Sequence, residues 1–341
     1  MTEKALQYKN AFYLPSGRVF LLETKDGYPI ECTEMRDVSV QGKEHYEVRN
    51  TQDPHVIWNH LKPYEEKWLL TVSTQKGCVH RCHFCDVGNL GFNGNLSQQE
   101  IEEQVRFLLE ASPYVTHSKK AKIGFARMGE PAHNLENVLG AMRNLPRISQ
   151  EMGRDYNWLP CFNSILPRKT IEGKTGFDVL DGIIEVKEKD YDGYLHLQIS
   201  CNSTDEDKRR ELFAGADVLS LEEVVGYINQ KRLHNRTATL NFIVMKGVEI
   251  NVDKLAKMGL TGDRYSVKLI PLNNTIRAQT KHLETLANYT NYEDLVKLGE
   301  EFNRIGVPTV VDAIAKCEEA GLCCGQLAHI FVNKSNGVKN V

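Results

Sequence analysis

Three cysteines, Cys78, Cys82 and Cys85, stand at C-x3-C-x2-C spacing. Such spacing lets one loop wrap three sulfurs around one metal centre, and thiolates are the usual ligands of iron–sulfur clusters. Three local thiolates would hold three irons of a [4Fe-4S] cube and leave the fourth open to a small-molecule ligand. Zinc is the competing reading. A structural zinc site closes with four ligands in paired spacings; here no second pair lies nearby, although His80 or His83 could supply a fourth donor. The chain has nine cysteines, odd in number and clustered, with Cys323 and Cys324 adjacent. That distribution suits metal ligation or thiol chemistry better than a disulfide framework.

The elements that must position these thiols follow from residue 68 onward, where strand and helix patterns alternate as they do in βα units around a parallel sheet. Strand patterns occupy 67–74, 122–128, 194–200, 238–245, 265–271 and 307–312. Between them lie helical patterns such as 97–111, where Ile101, Val105, Leu108 and Leu109 form one apolar face behind a Ser97/Glu100 capping box, and 220–232, opened by Ser220 and Glu223. About six such units are too few for a closed eight-stranded barrel, so the expected fold is α/β, a partial (β/α)6 barrel over 68–331. Residues 1–67 read as a small β-rich appendage and connector, with strand-like runs at 18–24 and 45–50 and a turn at 25–29. Residues 332–341 read as a polar tail. The cysteine triad follows directly on the first barrel strand.

Composition narrows the function classes. The 341 residues carry 42 Lys+Arg against 45 Asp+Glu, a net charge of −3, with 41% hydrophobic and 26% charged residues. This is an ordinary globular composition without a polybasic arm for nucleic acid. No apolar run approaches the roughly 20 residues a membrane span needs, and the first residues lack the pattern of a secretory signal. A cytoplasmic location is the expectation.

Five ordered segments carry a resemblance to a known family. The aromatic Phe84 before the third cysteine resembles the radical S-adenosylmethionine (SAM) pattern. The lead-in Val72-Ser73-Thr74-Gln75-Lys76-Gly77-Cys78 resembles that of the class A radical-SAM methyltransferases, the RlmN and Cfr type, which methylate RNA adenines. Gly91–Leu96 resembles their G-F-x-R-N-L segment, with Gly94 where Arg is usual, and Met128-Gly129-Glu130-Pro131 resembles M-G-E-P. Leu269–Asn273 resembles L-I-P-x-N, and Cys324-Gly325-Gln326-Leu327 resembles C-G-Q-L. The resemblance implies a radical-SAM barrel that holds a [4Fe-4S] cluster on Cys78, Cys82 and Cys85. It implies SAM contacts at Gly129, Glu130, Ser200, Asn202 and Asn273, with Cys161 in the place of a SAM-contacting Ser, and an external flavodoxin- or ferredoxin-like electron donor. Cys324 would be methylated by one SAM; its methyl would lose hydrogen to the radical made from a second, and the methylene would add to an sp2 carbon. Glu31 would correspond to the family's proton-accepting Glu, the alternative being an ordinary surface carboxylate.

The chain also departs from that pattern. The family's resolving cysteine, seven residues before the first cluster ligand, is Thr71 here. A hydroxyl cannot form the disulfide that expels the product, so Cys32 and Cys323 are the candidate replacements. The family's helical N-terminal domain has no counterpart in the β-like first 67 residues, and the stretch before C-G-Q-L, basic in the family, is Cys317-Glu318-Glu319-Ala320-Gly321. Both changes weaken an RNA interface, which depends on phosphate contacts by Lys and Arg. The basic groups at 208–210 and 231–232 read as solvated helix faces. A radical enzyme acting on a nucleotide, small molecule or peptide without cysteine methylation, and a non-catalytic iron–sulfur or RNA-binding protein, are the alternatives.

Overall fold

The computed structural model describes residues 5–39, 48, 53–286, 293–312 and 323–335. Ten strands form one sheet: β1 (Leu6–Leu14), β2 (Gly17–Thr24), β3 (Pro29–Arg36), β4 (Trp68–Thr71), β7 (His117–Gly124), β8 (Asp155–Ser164), β9 (His196–Ser200), β10 (Ala238–Val244), β11 (Tyr265–Pro271) and β12 (Thr309–Val311), in that spatial order. A separate pair, β5 (Gln75–Gly77) and β6 (Phe92–Asn95), brackets the cysteine loop.

From β4 to β12 every pairing is parallel. Leu69 of β4, Lys122 of β7, Gln198 of β9, Lys268 of β11 and Val311 of β12 line one cavity. Strands from the two ends of the parallel run therefore face each other, and the sheet curves into the expected open barrel. It holds seven parallel strands among the described residues, one more than the six expected. The extra strand is β8, whose sequence DYNWLPCFNS conceals it. Pro160 sits at its middle, opposite Ile123, and a proline ordinarily argues against a central strand.

The β-rich appendage continues this sheet. β1, β2 and β3 form an antiparallel meander, and β3 pairs antiparallel with β4, Thr33 opposite Thr71. A continuous sheet saves the first barrel strand an unpaired edge. Side chains alternate across a strand, so Glu31 and Thr33 share the concave barrel face with Thr71, while Cys32 points to the convex, helix-covered side. The expected run at 45–50 lies outside the described residues except for Val48.

Helices cover the convex side. Gln98–Ala111 begins with the predicted capping box, and Ile101, Val105, Leu108 and Leu109 are all fully buried. The Ser220/Glu223 box likewise opens Leu221–Asn229. The helix Gln326–Ser335 runs into the stretch read as a polar tail, of which 336–341 lie outside the described residues. No helix among the described residues is long and apolar enough to cross a membrane.

Candidate active site

The five sequence segments meet at the C-terminal ends of the barrel strands. Thr74 N–H and Gln75 N–H both donate to Met128 O, at 2.8 and 3.2 Å, and Gln75 Oε1 accepts from Glu130 N at 2.9 Å. Gln75 Nε2 donates to Asn95 Oδ1 at 2.8 Å, and Asn95 Nδ2 to His133 O at 2.6 Å. Lead-in, Asn95 segment and M-G-E-P are thus one hydrogen-bonded unit. Gly129 is required within it: φ is +101°, and a Cβ would stand 2.6 Å from Gln75 Cβ. That conformation and that approach both exclude a side chain.

Cys78, Cys82 and Cys85 lie on the loop leaving β5. Its base is closed by Cys78 N–H donating to Gly91 O at 2.9 Å. Arg277 clamps the loop from outside, with Nε donating to Cys82 O at 3.1 Å and an Nη to Arg81 O at 2.6 Å. Burial pushes all three thiols up, Cys85 to about 12, and the neighbouring sulfurs push in the same direction. Free thiolates are costly there, a cost that a bound metal would offset.

The donor chemistry bears on the metal readings. Three buried thiols lie on one short loop, and thiolates are the usual ligands of iron–sulfur clusters, so the residue types present suit a [4Fe-4S] cluster. His80 Nε2 and His133 Nε2 are 2.8 Å apart, and His133 Nδ1 accepts from Ile171 N at 3.0 Å. This chain makes His133 the Nε2–H donor and leaves His80 Nε2 as acceptor, unavailable to a metal. Burial holds both rings neutral, near 4.

Cys324 comes to this loop from the far end of the sequence. Gly325 has φ +82° and packs so tightly that a Cβ would meet Val87 Cγ2 at 2.9 Å. Asp86, directly after Cys85, accepts from Gln326 Nε2 at 3.2 Å and from Ile276 N and Arg277 N at 3.1 and 2.9 Å. The Cys324 sulfur is among the groups that raise the Cys85 thiol.

Glu31 is fully buried, so the surface-carboxylate alternative is excluded. Its carboxylate accepts from Gly325 N at 3.0 Å and Ala328 N at 2.9 Å, and so caps the start of Gln326–Ser335. A carboxylate is favoured at a helix N-terminus. Arg127 Nε donates to Glu31 at 2.8 Å, and one Nη lies 3.7 Å from Cys324 Sγ. Burial raises the Cys324 thiol, and the Arg127 charge opposes the rise. Arg127, Asp86 and Arg277 are site residues that sequence reading did not single out; their neighbours are remote in sequence, and no local pattern marks them.

The remaining predicted residues divide. Glu130 is buried and pushed up to about 7 by desolvation, against hydrogen bonds from the Ser164 side chain, Ala132 N and Ile165 N. Ser200 ends β9, and Asn202, just beyond, has φ +63°. Asn202 Nδ2 and Asn273 Oδ1 are buried without a hydrogen-bond partner. Orphaned polar atoms are costly, and a polar ligand at the strand ends would satisfy them; both residues thus fit the SAM contacts the resemblance implies. Cys161 lies lower in the barrel, opposite Gly124. Its thiol is affected by Lys122, Lys268 and Arg236 rather than by the cluster loop, whereas Ser164 stands at the strand end beside Glu130. Thr71 shares a hydrogen bond of 2.6 Å with Thr33. Of the two alternative thiols, Cys32 faces away from the barrel interior. Cys323 is buried beside Cys324, and its carbonyl accepts from Arg127 at 3.4 Å. Cys317 lies outside the described residues.

No family model matches the chain. A relative from Thermus thermophilus named as dual-specificity RNA methyltransferase RlmN is 27% identical over 270 residues, 78% of this chain and 69% of its own length. One of the same name from Phocaeicola vulgatus is 27% identical over 324 residues, 92% and 82% of the two chains. A crystal structure of a radical SAM methyltransferase from Sphaerobacter thermophilus shares the fold, with a TM-score of 0.63 at 20% identity over 95% of this chain and 81% of that one. Ordered motifs, their convergence at one end of an open barrel and relatives spanning most of the length agree in supporting an RlmN/Cfr-like radical-SAM methyltransferase.

Proposed function

We propose that the protein transfers a one-carbon unit from Cys324 to an sp2 carbon of its acceptor. The observation that carries this reading is the placement of Cys324. Its sulfur is beside the cysteine triad, on a segment pinned by Glu31, Asp86 and a glycine with no room for a side chain. A structural cysteine needs none of these restraints. When bound on Cys78, Cys82 and Cys85, a [4Fe-4S] cluster supplies the single electron that cleaves SAM. Gly129 and Glu130 would receive the amino-acid end of SAM, with Asn202, Asn273 and Ser164 completing its polar contacts. An external flavodoxin- or ferredoxin-like protein would deliver the electron.

Arg127 supports the first half of the reaction, because a guanidinium against a buried thiol favours the thiolate, the form that accepts a methyl group. Glu31, already accepting from Arg127, Gly325 and Ala328, works here as a positioning residue. Product release must differ from that in enzymes with a resolving cysteine at the place of Thr71. Cys323 is the better placed substitute, since Cys32 lies on the convex side. The curated relatives are named for RNA. The acidic stretch 317–321 favours a different acceptor here.

The test is peptide mass spectrometry of full-length protein purified anaerobically, with an iron count. A methyl increment on Cys324, lost in Cys324→Ala while SAM cleavage persists, is the expected result. Unmodified Cys324 in protein with a full iron complement refutes it.

A further inference from the structure

The same concave face that carries Thr71, Gly124 and Ser200 toward the cysteine loop ends, at the N-terminal side of the strands, in a cavity of about 780 Å³. Pockets for small ligands run from roughly 300 to 1,000 Å³. Its charge is unbalanced. Of its cations, Lys67 pairs with Asp37, Lys62 with Glu66 at 2.9 Å and Lys268 with Asp312 at 2.6 Å. Lys120, Lys122 and Arg236 have no acidic partner among the described residues, though all three line the cavity.

Several features mark this as a built site rather than a solvated surface. Lys122 projects from β7 between the buried Ala121 and Ile123. Burial lowers the basicity of all three cations, and for the two lysines neighbouring positive charges lower it further. Arg236 Nε and the neighbouring His196 Nε2 are buried with no hydrogen-bond partner, as is Asn241 Oδ1, deeper on the same face. A fold that holds three unpaired cations around one space loses stability unless something negative enters it.

We infer that this cavity is an anion site that seats the phosphate of a compact phosphorylated acceptor, held by Lys120, Lys122 and Arg236. A carboxylate brings one negative charge, whereas a phosphate monoester brings about −1.5 to −2 at pH 7 and several acceptor oxygens. That better matches three cations, and Arg with Lys is the usual phosphate pairing. That the ligand is the acceptor rests on the proposed methyl transfer, while the anion site itself does not.

The experiment is isothermal titration of the full-length, anaerobically purified protein with inorganic phosphate, adenosine 5′-monophosphate, adenosine and a short single-stranded oligoribonucleotide. It is repeated on Lys122→Met, Arg236→Met and Cys324→Ala, with thermal melts of each. The expected result is binding of phosphate and the monophosphate but not adenosine, weakened about tenfold or more by Lys122→Met and by Arg236→Met. The two substitutions leave the melting temperature unchanged or higher, because each removes an unpaired charge. Cys324→Ala binds as the parent does, which separates a failure of the cysteine chemistry from a failure of the site. Equal affinity in parent and floor variants, absence of phosphate binding, or binding of the oligoribonucleotide alone would each overturn the inference.

Discussion

Replacing Arg127 with Met should be among the most damaging single changes near the site, and the structure sets its size. Arg127 is 5% exposed and Glu31 0%, with 2.8 Å between a guanidinium nitrogen and the carboxylate. Without Arg127 the Glu31 carboxylate stays buried with two backbone N–H donors and no opposite charge. Removing one partner of a buried pair costs about 3–5 kcal/mol. With an unfolding entropy of about 2.1 cal/mol/K per residue over 341 residues, roughly 0.7 kcal/mol/K, that loss lowers the melting temperature by about 4–7 °C. Glu31→Gln takes the carboxylate charge away from the buried guanidinium instead and should cost a similar amount. The double variant carries neither charge and loses only hydrogen bonds, about 1–2 kcal/mol or roughly 1–3 °C. The assay is calorimetric melting of the four iron-free proteins as a double-mutant cycle. Additive losses, or an Arg127→Met melt within about 1 °C of the parent, would refute the argument that Glu31 and Arg127 form one unit holding the Cys324 segment.

Two further outcomes follow from named geometry. Gly129→Ala should cost about 1–3 kcal/mol from its φ of +101°, and should also displace Gln75 and reduce iron retention on reconstitution. Gly153→Ala has φ +66° with nothing within 4 Å, so it carries the backbone strain alone; equal iron retention in the two would contradict the close-approach argument. Burial, and then the neighbouring Lys67, Arg236 and Lys122, push Lys120 down to about 8, with Asp37 opposing. Its folded value lies below the ordinary lysine value, so its charge penalises folding below pH 8, and the penalty is relieved as pH rises from 8 toward 10.5. Phosphate affinity measured by titration between about pH 7 and 9.5 should run the other way and fall through pH 8 as the charge is lost; a flat profile would remove Lys120 from the anion site.

Much of the protein was legible in one dimension because the relevant physics is local. Capping boxes at Ser97 and Ser220 act within four residues, and apolar spacing at Ile101, Val105, Leu108 and Leu109 reports a buried helix face directly. Three thiols within eight residues mark a candidate metal loop, and alternating strand and helix patterns declare a parallel sheet. Strand β8 escaped because Pro160 interrupts the short apolar run Trp158, Leu159, Cys161 and Phe162; the pairing of β7 and β9 on either side of it decided its conformation.

What only the tertiary structure decided depends on residues far apart in the chain. Nothing near Glu31 announces that its carboxylate will cap a helix nearly three hundred residues away and meet Arg127 beside Cys324. Asp86 ties the cluster loop to two later segments in the same way. The imbalance of Lys120, Lys122 and Arg236 is invisible in a chain whose net charge is −3, because total charge says nothing about which charges are buried together. Chemical type and local periodicity belong to the sequence; burial, partner and electrostatic surroundings arise when the sheet curves and brings its distant strands face to face.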